Sequence, residues 1–180
     1  MTLPPSKSGE TDRDTVAALR LVHQLQQALR QSDRAQLVYC LKQLVVLRAP
    51  MGDQWQALAH LAAQNGELSL AREAIDLFVE ASGNSPLAQY QKAALLEQSG
   101  ALRDAYDVMR TLPDNAPDPA ANAFSRGTAA LFLGEIGEAR RRLEIATRRR
   151  QESGAAWLSL AMSANLADEP ELAQTIIGAE

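Results

Sequence analysis

With 180 residues the chain is long enough for one or two globular domains, and 46% hydrophobic residues are enough to fill a core. The formal net charge of −4 and a pI near 5.3 exclude a general attraction to nucleic acid or anionic membrane. Cys40 is the single cysteine, which excludes an intrachain disulfide.

The N-terminal stretch, Met1 to Asp14, carries two prolines, a glycine and many polar residues, and reads as a disordered tail. It has no apolar run of the secretion-signal kind. Helical periodicity begins near Thr15. Val16, Leu19, Val22, Leu25 and Leu29 form an apolar stripe on a first helix. Ser32-Asp33 ends it and caps a second helix, Arg34 to Arg48, with Leu37, Leu41, Leu44 and Val45 on one face. Ala49-Pro50 closes this unit.

The next unit has a first helix with Trp55, Leu58, Ala59 and Ala62, and a second with Ala71, Ile75 and Phe78. Between them stands Gly66, where the backbone must turn left-handed past a helix end. Ser82 to Pro86 is a turn cluster. The third unit carries Tyr90, Ala93 and Leu96, then Ala105, Met109 and Leu112, and Pro113 cuts its second helix short. The fourth carries Phe124, Gly127 and Ala130, then Ala139, Leu143 and Ala146. The fifth carries Trp157, Leu160, Ala161 and Ala164, then a helix opening at Pro170 with Ala173 and Ile177.

These units repeat every 34 residues. Gly66 steps to Gly100 and Gly134, while Ala71 steps to Ala105, Ala139 and Ala173. The two tryptophans are 102 residues apart, three periods. Expected units are 15–51, 52–85, 86–119, 120–153 and 154–180. Trp55-x-x-Leu58-Ala59-x-x-Ala62 and Trp157-x-x-Leu160-Ala161-x-x-Ala164, together with the glycines and alanines above, resemble the tetratricopeptide repeat. The resemblance covers about residues 18 to 180. It implies an all-α, right-handed superhelix of five helix pairs, with first helices lining a concave face, and a role in protein–protein interaction.

Little in the sequence suggests chemistry. His23 and His60 lie in different units, with no ligand partner at metal spacing. Cys40 beside Leu41 reads as packing rather than as a nucleophile. Arg140-Arg141-Arg142 and Arg148-Arg149-Arg150 invite a nucleic-acid reading, but consecutive residues point around a helix and no aromatic platform stands nearby. A solvated face is the expectation for them. No metal, cofactor or catalytic residue is expected, and nucleic acid and membrane are not favoured as partners. Family members that grip acidic peptide ends do so with a clamp of Lys, Asn and Arg on the first helices. Here the matching positions are neutral, Gln26, Gln56, His60, Tyr90, Ala94, Phe124 and Thr128, so that mode is disfavoured.

The expected function is a non-catalytic, cytoplasmic interaction module. It binds a peptide or neighbouring domain through Gln56, His60, Tyr90, Phe124 and Thr128 on the concave face. The alternative is the N-terminal regulatory module of a longer enzyme, such as a bacterial sulfotransferase or glycosyltransferase. The short last helix, with Ile176 and Ile177, suggests an open edge available to self-association or to a following segment.

Overall fold

Helices alternate with tight turns throughout the computed structural model, which describes residues 7–116, 118–164 and 168–178, with side chains from residue 14 onward. Among the described residues the chain is all-α, built of helix–turn–helix pairs. They are α1 (Lys7–Gln31) with α2 (Arg34–Val46), α3 (Gln54–Gln64) with α4 (Leu68–Ala81), α5 (Pro86–Gln98) with α6 (Leu102–Thr111), α7 (Pro119–Phe132) with α8 (Ile136–Arg149), and α9 (Gly154–Met162) with α10 (Pro170–Ile177). The pairs fall into two compact units, one up to Asn84 and one from Ser85 onward.

The turn inside each pair explains the period. Gly66, Gly100 and Gly134 have φ of 78°, 79° and 78°, the left-handed region in which a β-carbon clashes. The following amide then reaches back across the turn, Glu67 N to Ala62 O at 3.0 Å, Ala101 N to Leu96 O at 2.8 Å and Glu135 N to Ala130 O at 2.9 Å. This closes the carbonyls that a helix end leaves free. The first pair makes the same turn without glycine. Ser32 takes φ 55°, Asp33 N reaches Ala28 O at 2.9 Å, and the Asp33 side chain accepts from Gln36 N at 3.0 Å. Capping by Asp33 supports a conformation that serine adopts less readily than glycine.

Small residues bring the two helices of a pair together. Ala71, Ala105 and Ala139 are buried near the start of their second helices, and Ala59, Ala93 and Gly127 are buried at one shared slot of the first helices. Gly127 is the tightest glycine position among the described residues, since a methyl there would stand 2.8 Å from Leu143 Cγ. The tryptophans have a different task. Trp55 Nε1 donates to Ala49 O at 3.1 Å and Trp157 Nε1 to Gln151 O at 2.8 Å, each tying down the link that enters its pair. The Pro113 corner is tied by buried Asn122, whose Nδ2 donates to Pro113 O and Ala116 O at 3.1 and 2.7 Å.

Two expectations change. Helix α1 begins at Lys7, so residues 7–14 of the expected tail are helical, while residues 1–6 lie outside the described residues. The stripe on α1 is also rotated. Ala18, Leu25 and Ala28 are buried, but Val16, Leu19 and Leu29 are exposed. Close pairing with α2 selects the small-residue face, where Leu25 and Ala28 stand in register with Ala59 and Ala62, over the bulkier one.

Candidate functional site

Each first helix places its side chains by the same register, so Gln56, Tyr90 and Phe124 hold equivalent positions on α3, α5 and α7. In the first unit, Gln56 and His60 lie four residues apart on one face of α3, both half-buried. In the second unit, Tyr90 and Phe124 line one hollow of about 110 Å³. Its floor is alanine, including Ala121 and Ala156, and its rim holds Ser125, Arg150 and Ser153. Thr128 stands one turn beyond Phe124 and is not among the lining residues. Its Oγ1 is buried without a hydrogen-bond partner among the described residues.

The two aromatic rings differ. Phe124 packs against the clusters around Leu143 and Ala146, so part of its surface belongs to the core. The Tyr90 hydroxyl lies 3.1 Å from Ser125 Oγ, which ties α5 to α7 and satisfies the polar tip of the ring.

Arg150 is the rim residue that the neutral reading of the first helices missed, because it comes from the end of α8. Its Nη2 lies 3.3 Å from Asp118 Oδ1. Asp118 caps α7 by accepting from Ala121 N at 2.7 Å. That amide, with the charges of Arg150 and Arg149, holds the Asp118 carboxyl below its ordinary range. The hollow therefore joins an apolar floor to a rim of hydroxyls and one half-exposed guanidinium.

The arginine triplets are largely occupied. Arg142 pairs with Asp114 at 2.6 Å and Glu138 at 3.0 Å, Arg141 with Glu138 at 2.7 Å, and Arg148 with Glu144 at 3.5 Å. Arg140 pairs with Glu144 and Glu169. Arg126 reaches the same Glu138 at 2.6 Å. Burial would raise the Glu138 carboxyl, but hydrogen bonds from Arg142 and Arg141 and the charge of Arg126 pull it down to about 2. Guanidinium groups bound to carboxylates in this way are poor phosphate contacts.

Cys40 is buried, 3.5 Å from Gln36 Nε2, and burial pushes its thiol up, away from the reactive thiolate. Among the described residues no group of His, Cys, Asp and Glu is placed to hold a metal ion, and no helix is long and apolar enough to cross a membrane.

No protein-family model matches the chain, and no curated protein matches it. Solved structures do. A double mutant of MamA RS-1 aligns at 16% identity with a TM-score of 0.65, over 90% of this chain and 93% of that one. MamA from residue 41 to its end, from Desulfovibrio magneticus RS-1, aligns at 18% identity with a TM-score of 0.65, over 90% and 92%. PilF of Pseudomonas aeruginosa aligns at 16% identity with a TM-score of 0.61, over 94% and 76%. MamA and PilF are tetratricopeptide-repeat proteins. The helix pairs, the left-handed turns at constant period and these alignments together give the chain the tetratricopeptide-repeat fold.

Proposed function

We propose that the chain is a non-catalytic interaction module that receives a protein segment in the hollow between Tyr90 and Phe124. The observation that carries the reading is the make-up of that hollow, an apolar floor under a rim of Tyr90, Ser125, Arg150 and Ser153. Its volume of about 110 Å³ suits one apolar side chain rather than a cofactor. Aromatic and arginine residues around such a recess are the types that dominate interface energy. The rim hydroxyls and Arg150 are suited to backbone carbonyls on either side of the inserted residue. Gln56 and His60 offer a second, polar surface on α3 for the same class of partner.

The test is a selection of peptides from a random display library on the immobilised protein, followed by titration of the winners. Tyr90→Ala should weaken them by about 1–2 kcal/mol, roughly 5- to 30-fold. Tyr90→Phe keeps the ring and removes only the bond to Ser125. It separates the contact from the tie between helices. Winners that bind Tyr90→Ala as tightly as the parent protein place the site elsewhere.

A further inference from the structure

The second helices carry an outward stripe whose character changes along the chain. On α2 it holds Tyr39, Lys42 and Val46, spaced three and four residues apart on one face. Tyr39 is 53% and Val46 78% exposed. One repeat later the same slots hold Glu73, Asp76 and Glu80 on α4, all exposed. In the third and fourth pairs the slots of Tyr39 and Val46 hold Asp107 and Asp114, then Arg141 and Arg148, again all exposed. These outward slots carry charge in the second, third and fourth pairs, and α2 alone among the first four second helices fills them with large apolar groups.

Helices α2 and α4 pack on each other, and a groove of about 410 Å³ runs between them. Val45, Val46 and Leu77 form its floor, Glu73, Asp76 and Glu80 its α4 wall, and Arg48 stands at the end of α2. Lys42 is not among the lining residues. Arg48, Leu77 and Glu80 also line a second hollow of about 190 Å³ with Met51 and Trp55, so the groove continues to the link that enters the second pair. Arg48 takes φ 47°, a left-handed conformation that α4 gives to Gly83 and Asn84 at its own end. From there its guanidinium pairs with Glu80, and both side chains are exposed. An exposed pair of this kind is a weak contact.

We propose that this groove docks a partner protein through a basic amphipathic segment, which lays apolar side chains on Val46 and sets lysines or arginines against the carboxylates of α4. Charge complementarity selects the occupant. Three carboxylates and one guanidinium line the groove, and that guanidinium is already bound to one of the three. An acidic segment meets repulsion along the whole α4 wall, whereas a basic one gains from it. Carboxylates at Glu73, Asp76 and Glu80 span about 10 Å of helix, two turns, the spacing at which an amphipathic helix repeats its own charges. The groove belongs to second helices of the first compact unit and the Tyr90 hollow to the second unit, so the two readings stand or fall independently.

Fluorescence anisotropy of the full chain with two short labelled peptides tests it. One peptide sets leucine and lysine at amphipathic-helix spacing, and the other has glutamate at every lysine. At physiological ionic strength the lysine peptide should bind the parent protein and the glutamate peptide should not. Val46→Lys should weaken the lysine peptide about 10-fold. Glu73→Lys should weaken it about 5-fold, and Arg48→Gly, which suits the left-handed turn and removes the guanidinium, should tighten it about 2- to 5-fold. Glu152→Lys changes the net charge as much as Glu73→Lys, but in the other compact unit, and should leave the affinity unchanged. All four positions are exposed, so thermal melts should match the parent. If Val46→Lys melts lower, Val46→Ser replaces it and should weaken the peptide in the same direction. A lysine peptide that does not bind overturns the proposal. So does one that the Val46 variant binds as tightly as the parent, or one weakened equally by Glu152→Lys and Glu73→Lys. Binding that Ala121→Trp abolishes places the peptide in the Tyr90 hollow and equally overturns it.

Discussion

Gly127→Ala adds one methyl at the tightest glycine position among the described residues. The new carbon would stand 2.8 Å from Leu143 Cγ and 3.1 Å from both Leu143 Cδ2 and Arg142 Cβ. Favourable carbon contacts lie at about 3.5–4.0 Å, so Leu143 must move. Leu143 is fully buried, and Arg142 is held by Glu138 and Asp114. Overpacking of this kind costs about 1–3 kcal/mol. Alanine in place of glycine within a helix offsets about 0.8–1 kcal/mol of that. The net effect is a destabilisation of up to about 2 kcal/mol. For a chain of this size that lowers the melting temperature by about 2–4 °C per kcal/mol. Urea unfolding of Gly127→Ala, Leu143→Val and the double variant measures it. The smaller valine should absorb the methyl, giving a coupling on the order of 0.5 kcal/mol or more. A Gly127→Ala variant that melts above the parent, with no coupling to residue 143, would refute the close-approach argument, because helix propensity alone would then decide the outcome.

Three further outcomes follow from the same geometry. Ala105 is fully buried, and Ala105→Leu should cost on the order of 1–3 kcal/mol in urea unfolding, whereas unchanged stability would mean that the turn register is wrong. Glu138 has its carboxyl lowered from 4.5 to about 2, so its stabilising contribution is complete above about pH 4.5 and is lost as the pH falls through about 2. Glu138→Gln should therefore flatten the acid branch of the stability curve in that window, and an unaltered branch would count against the arginine cage. Cys40, buried and with its thiol pushed up, should react with a thiol reagent orders of magnitude more slowly in the native than in the unfolded protein, and equal rates would show that α1 and α2 do not close over it.

The pairing of the helices was legible because it depends on local chemistry repeated at fixed spacing. A glycine at φ near 78° and a buried alanine five residues later leave the same trace in the three middle pairs. The exposed stripe of α1 was not legible in that way. Apolar periodicity finds a helix but does not say which of two apolar faces is covered, and the close pairing chose Ala18, Leu25 and Ala28. Part of the pairing of the arginine triplets is local, to Glu138 and Glu144 three or four residues away, but their other carboxylate partners are far away in sequence. Arg142 meets Asp114 28 residues before it, and Arg150 meets Asp118 32 residues before it. A signal for them existed in the period. Arg48 and Glu80 pair across 32 residues, and Arg34 meets Glu67 across the same kind of gap, so opposite charges just under one repeat apart mark neighbouring helices. In the candidate site, the equivalence of Tyr90 and Phe124 was visible in the sequence. The rim residues Arg150 and Ser153 were not, since they reach the hollow from the end of α8 and the link to α9.

The most direct test of the interaction reading is a map of where a selected peptide touches the protein, by amide and methyl chemical-shift changes in the labelled chain. The account predicts that the largest changes fall on Tyr90, Ala121, Phe124, Ser125, Arg150 and Ser153, and that Ala121→Trp, which fills the hollow, abolishes them. Changes centred elsewhere, unaffected by Ala121→Trp, would contradict it.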